Sequence, residues 1–116
     1  MSAKLVIYNK SKKFELKVKK VNSITKYIGL MFKTIESPPL LFEFSYNSRP
    51  AIHSFFVFFP FIALWLDDKN NVLEYNLVKP FSPLVRPTQD CKNLLELPLN
   101  KENRRLIGLL VGKGKI

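Results

Sequence analysis

Apolar and polar residues alternate along several short segments of the chain, a period typical of strands with one buried face. In FELKVKKV (14–21) every second residue up to Val18 is apolar, and the residues between them are Glu or Lys. Together with KLVIY (4–8) this segment predicts a hairpin around residues 9–13. Further strands are predicted at LLFEF (40–44), VLEYNLV (72–78) and NLLEL (93–97).

The stretch from Ser54 to Leu66 contains thirteen residues without a charge, most of them aromatic or aliphatic. A membrane-spanning helix needs ~20 apolar residues, and Pro60 would interrupt a helix at its centre. Apolar side chains at consecutive positions favour strands that are covered on both faces. We therefore predict two strands, 52–59 and 61–66, bent at Pro60. The side chains predicted to be buried there include Phe55, Phe56, Val57, Phe59 and Trp65.

Two short helices are predicted as well. One follows a cap at Asn22 or Ser23 and is closed by Gly29, and the other begins after Asn100. The length of 116 residues fits a single domain, 1–116, with a basic hairpin at 4–21. These elements predict a β-rich fold, mainly antiparallel, with a compact barrel-like or sandwich-like arrangement and one or two short helices.

Positive charge is concentrated at one end of the sequence. The net charge is +10, and residues 1–34 contribute +8 of it through nine lysines and a single acidic residue, Glu15. Such asymmetry is typical of proteins that meet an anionic partner. The candidate anion-binding residues are Lys10, Lys12, Lys13, Lys17 and Lys19. The alternative is that lysines on an edge strand serve only to prevent edge-to-edge aggregation.

Few side chains could support catalysis or metal binding. Cys91 and His53 are each unique, so the chain cannot form an internal disulfide, and the two cannot complete a structural zinc site with four ligands. The segment DDKNN (67–71) lacks the glycine and distal glutamate of an EF-type calcium loop and predicts a turn. We predict no metal and no cofactor. The lone cysteine and the short apolar run at Leu5–Tyr8 predict a cytoplasmic protein without a signal peptide.

Several segments, in their order, resemble the archaeal branch of domain-of-unknown-function family 192. They are YIGLMFK (27–33), LLFEF (40–44), IHSFFVFFPFIALWLDDKNNVLE (52–74), LVKP (77–80) and NLLELP (93–98), within a family-like region at 22–110. Members of that family are similar small β-rich domains with no established activity, so the resemblance implies a fold and no reaction. It also implies a candidate polar site, formed by Lys33, His53, Asp67 and Glu96.

The sequence favours a binding or accessory module over an enzyme. Two alternatives stay open. One is weak nucleic-acid binding through the basic hairpin, since lysines can neutralise phosphates. The other is an enzyme with a polar cluster around His53 and Glu96, which requires these side chains to converge in a cleft. A nucleic acid or an acidic protein is the partner that the charge predicts, and no membrane association is expected.

Overall fold

The computed structural model describes residues 2–21, 30 and 33–111. Its elements are β1 (Ser2–Asn9), β2 (Lys12–Lys20), β3 (Leu40–Ser48), β4 (Phe61–Leu66), β5 (Val72–Val78), β6 (Cys91–Pro98) and α1 (Lys101–Val111). The strands form one sheet in the order β1-β2-β3-β6-β4-β5. All neighbouring strands are antiparallel except β2 and β3, which pair in parallel. The predicted β-rich fold class is confirmed.

The sheet curls into a half-barrel, so that its two edge strands, β1 and β5, approach each other at one point. There the Tyr8 N–H donates to the Asn70 carbonyl at 3.0 Å, beside a bridge between Tyr8 and Asn71. Curling follows from the twist between neighbouring strands, which accumulates across a sheet of this width. The inner side of the curl holds one apolar cluster with residues from every strand, and α1 packs there through Ile107 and Leu110.

The outer side of the sheet is also covered, from β3 across β6 and β4 to β5. Val57 and Phe59 pack there against Leu94 and Trp65, together with Leu30. Because both faces are covered, β4 has six consecutive buried residues, as expected for a strand in the middle of a sheet. The predicted strand 61–66 is therefore confirmed.

The first hairpin and the last helix lie at the predicted places in the sequence, although the hairpin strands are extended towards a shorter turn. Lys10 and Ser11 form a two-residue turn with φ values of 52° and 70°, which is the geometry of a type I′ hairpin. Asn100 caps α1, because its Oδ1 accepts from the Asn103 N–H at 2.9 Å. The helix predicted between Asn22 and Gly29 lies outside the described residues. No helix in the described ranges combines the length and apolar character needed to span a membrane.

The strand predicted at 52–59 is wrong. Only Ile52 makes a bridge, to Val85, and the chain turns just beyond it. The turn is closed by a hydrogen bond of 3.1 Å from the Val57 N–H to the Ser54 carbonyl. It breaks the side-chain alternation of an extended strand. The burial predicted for Phe55 and Phe56 is therefore wrong, because these rings are 42% and 47% exposed, whereas Val57, Phe59 and Trp65 are buried as predicted.

Candidate functional site

Two surface loops, 52–59 and 79–85, are joined side by side by main-chain hydrogen bonds. Ile52 and Val85 exchange two N–H···O bonds of 2.8 Å. Farther along, the Ser54 N–H donates to the Ser82 carbonyl, and the Phe81 N–H donates to the Ser54 carbonyl, each at 2.9 Å. The two loops thus form one irregular ribbon, in which residue 52 faces 85 and residue 54 faces 82.

The Ser54 hydroxyl is the buried centre of this ribbon. Ser54 is 0% exposed, and its Oγ donates to the Lys79 carbonyl and accepts from the Ser82 N–H, both at 2.6 Å. The Ser82 hydroxyl donates to the same Lys79 carbonyl at 2.8 Å. A buried hydroxyl that both donates and accepts leaves unsatisfied main-chain groups when it is removed. The conformation of both loops is therefore fixed from the interior.

Large apolar side chains of the ribbon are left in water. We call them the phenylalanine cluster: Phe55, Phe56, Phe58, Phe81 and Leu84, which are between 42% and 65% exposed. The ring of Phe81 contacts those of Phe56 and Phe58, with centroids 6.2 and 5.3 Å apart and nearly edge-to-face orientations. Contiguous exposed apolar surface on a small protein commonly marks a binding site.

Backbone strain coincides with the cluster. Phe56 and Phe81 have φ values of 61° and 59°, in the left-handed region that bulky residues rarely occupy. Such a conformation costs ~1–2 kcal/mol per residue. It persists only where the surrounding structure imposes it, and it concentrates at functional sites. Here Ser54 supplies the surrounding hydrogen bonds. It lies two residues before Phe56, and it bonds to Lys79, Phe81 and Ser82 of the neighbouring loop.

The surroundings of the cluster are cationic. Residues 49–66 and 75–89 contain no Asp or Glu, and their basic side chains are Arg49, His53, Lys79 and Arg86, all exposed. The Arg49 Nε–H donates to the Pro87 carbonyl at 3.0 Å, which places Arg49 next to Arg86 beyond the Ile52–Val85 pair. Lys79 stands at the other end of the ribbon, so cations flank the cluster on both sides.

His53 and Asp67, two members of the predicted polar site, lie in different loops, one before and one after β4 in the sequence. His53 is exposed, its Nδ1 accepts from the Phe55 N–H at 3.2 Å, and its ring centroid is 5.3 Å from that of Phe55. Asp67 lies in the predicted turn after β4, where its carboxylate accepts from Lys69 N, Asn71 N and Asn71 Nδ2. Burial raises the pKa of Asp67, but these hydrogen bonds outweigh it, and the net shift is downward.

Glu96 is buried in the middle of the sheet. It stands on β6 between Leu40 of β3 and Ala63 of β4, and it is 5% exposed. Burial raises the pKa of its carboxyl to about 8. Lys33 is half-buried, and its main-chain N–H donates to the carbonyl of Leu30. Leu30 packs on the outer face of the sheet. A shared role for Glu96, Lys33, His53 and Asp67 stays a prediction.

The hairpin lysines do not all face one way. Lys13, Lys17 and Lys19 occupy alternate positions on the outer face of β2, where Lys13 lies 3.5 Å from the Glu15 carboxylate. A hydrogen bond from Lys4, 3.1 Å away, and the charges of Lys4 and Lys13 lower the pKa of Glu15. Lys12 points to the opposite face of β2 from these three lysines, and Lys10 lies in the turn. Both line a groove together with Phe14, Tyr75 and Leu109. A joint anion-binding role stays a prediction.

Cys91 is buried at the start of β6. Burial, with smaller contributions from Glu74 and Asp90, raises the pKa of its thiol to about 11. A thiol with such a pKa is almost fully protonated at neutral pH and is a poor nucleophile. Within residues 2–21, 30 and 33–111, no three His, Cys, Asp or Glu side chains lie close enough to hold a metal ion.

The phenylalanine cluster could not be found from the pattern of 54–66 alone, since consecutive apolar residues predict burial. Phe81 and Leu84 carried a better signal, because they lie in KPFSPLVRP (79–87), whose three prolines predict a surface loop. Apolar residues in a surface loop are exposed unless another element covers them.

No family model and no curated protein matches the chain. Two solved structures are similar. One is a putative transcription regulator from Sinorhizobium meliloti 1021, with a TM-score of 0.77 and 18% identity over 91% of this chain and 86% of that one. The other is a protein of unknown function from Novosphingobium aromaticivorans DSM 12444, with a TM-score of 0.73 and 14% identity over 90% of this chain and 78% of that one. These likenesses show the fold alone.

Proposed function

We propose that the chain is a binding module that recognises its partner through the phenylalanine cluster. The observation that carries the proposal is that a buried network around Ser54 holds four phenylalanine rings in water. Val57 and Phe59 of the same loop are buried in the core, so the loop as a whole is not displaced from the protein. The other rings of the loop are exposed because of their individual positions in it. A rigid aromatic surface binds well because few side-chain rotamers are lost on association.

Binding is better supported than catalysis. His53 is exposed and already accepts the Phe55 N–H, whereas Glu96 is buried among apolar residues of the sheet, and these different surroundings favour binding over an acid–base role for the pair. The order of the family-like segments supports placing the chain in domain-of-unknown-function family 192. The unpaired thiol of Cys91 supports a cytoplasmic location. The name of the Sinorhizobium neighbour is compatible with an anionic, nucleic-acid partner.

The test uses the dye bis-ANS, which fluoresces on accessible apolar surface. The folded protein should bind the dye, and Phe58→Ser should remove most of the signal because Phe58 is 64% exposed. The matched control is Leu109→Ser on α1, which removes a similarly exposed apolar side chain (55%) away from the cluster. Both variants should unfold within ~0.5 kcal/mol of the parent. A dye signal that Phe58→Ser leaves unchanged would contradict the proposal.

A further inference from the structure

We infer that the partner of the phenylalanine cluster is a single-stranded nucleic acid, whose unpaired bases stack on the rings while its phosphates meet the flanking cations. This inference rests on the proposed function and names the partner. The hairpin lysines were the sequence's candidates for phosphate binding, but the hairpin exposes one large aromatic ring, that of Tyr8, whereas the ribbon exposes four phenylalanine rings. A single strand needs both aromatic faces and cations, and the ribbon supplies them together.

The rings suit stacking because each is about half exposed. Phe58 is 64% exposed and Phe81 46%, and their edge-to-face contact leaves ring surface open to solvent. A planar base can cover such a surface without any rearrangement, since the positive φ values and the Ser54 network already fix the backbone.

The charges favour a polyanion. Arg49 and Arg86 lie at one end of the cluster and Lys79 at the other, with no acidic residue in either supporting stretch, 49–66 or 75–89. A strand that crosses the rings would place phosphates near cations at both ends. A second copy of the chain is disfavoured, because a two-fold interface would bring together two rims in which cations outnumber the one nearby acid, Glu74, which already accepts from the Thr88 N–H.

The inference can be tested by fluorescence anisotropy with labelled oligonucleotides of about 12 nucleotides, within the ~4–16 that such surfaces cover. Unpaired DNA, unpaired RNA and a DNA duplex of the same length form the three arms. Both single strands should bind more tightly than the duplex, whose bases are already stacked. A difference in affinity between the DNA and RNA strands identifies which nucleic acid the surface prefers. With three cations, affinity should fall with salt at a log–log slope near ~−2.

Variants separate stacking from charge. Phe58→Ala should weaken single-strand binding at least about fivefold with an unchanged salt slope, because one stacking ring is lost. Lys79→Gln should reduce the magnitude of the slope by ~0.7, because one phosphate contact is lost. The controls Leu109→Ala and the pair Lys17→Gln with Lys19→Gln should leave both quantities as they were.

Several outcomes would overturn the inference. They are equal affinity for duplex and single strand, a slope that responds to Lys17 and Lys19 instead of Lys79, and no oligonucleotide binding. Phe58-dependent association with phosphatidylserine vesicles, or Phe58-dependent dimerisation in sedimentation, would also overturn it if no single strand binds. If no oligonucleotide binds but bis-ANS fluorescence still depends on Phe58, only the nucleic-acid partner is refuted. If bis-ANS fluorescence does not depend on Phe58 either, the proposed binding module is refuted as well.

Discussion

Glu96→Gln is the sharpest test of the environment inside the sheet. Burial raises the pKa of Glu96 from its ordinary value of 4.5 to about 8. Between these values the native state keeps a proton that the unfolded chain has released. The unfolded chain therefore binds fewer protons, and the free energy of unfolding must fall as pH rises. The stability due to the neutral carboxyl is fully present below pH 4.5 and is lost as the pH rises towards about 8.

The structure sets the magnitude of this effect. Each pH unit in the window removes ~1.4 kcal/mol, which gives a total loss of about 5 kcal/mol across it and about 3 kcal/mol by neutral pH. No discount for solvent screening is needed, because Glu96 is 5% exposed and its partners across the sheet, Leu40 and Ala63, are apolar. Glutamine keeps the shape of the side chain and removes the ionisation.

Urea unfolding at several pH values in that window measures the effect. The parent should lose stability steadily with pH, whereas Glu96→Gln should have a much flatter profile and should be the more stable protein at the alkaline end. Glu36→Gln, at an exposed position, should follow the parent. Parallel profiles for the parent and Glu96→Gln would refute the reasoning, because they would show that the carboxyl is solvated or paired.

Three further predictions concern stability. Phe59→Ala should lower the free energy of unfolding by ~3–5 kcal/mol and Phe58→Ala by less than ~0.5 kcal/mol in urea titrations, because the first ring is buried and the second exposed; equal losses would disprove the assigned orientations. Lys10→Asn combined with Ser11→Gly should raise Tm through a gain of ~1 kcal/mol, since both residues have positive φ, and a lower Tm would argue against the turn. Ser54→Ala should cost ~1–3 kcal/mol by calorimetry, and an unchanged Tm would show that its hydrogen bonds do not hold the ribbon.

Local periodicity predicted the strands that have one covered face and also the helix cap. The alternation that ends at Val18 and the Asn100 cap depend on neighbouring residues alone, so sequence was sufficient. The parallel pairing of β2 with β3 depends on the path of the chain between them, and alternation within each strand carries no information about that path. The location of β6 at the centre of the sheet, between β3 and β4, likewise depends on the whole chain.

The site was harder to predict than the fold. A run such as 54–66 satisfies the pattern of a covered strand throughout, yet its first part forms a turn because Ser54 contributes its hydroxyl and its main chain to the neighbouring loop. That neighbour is about 25 residues away in sequence, since Ser54 bonds to Lys79, so no local pattern specifies it. Glu96 was named from the resemblance, but its burial became apparent only once β3 and β4 were placed on either side.

The order of the strands has a consequence for how the protein is made. β6, the last strand in sequence, fills the gap between β3 and β4. Until residues 91–98 have left the ribosome, only the β1–β2–β3 and β4–β5 pairings can form, and the edges of β3 and β4 that pair with β6 stay open. Contacts between distant segments form slowly because large loops must close first. Completion of the sheet should therefore wait for β6, and a nascent chain stalled before β6 would depend on chaperones to avoid aggregation.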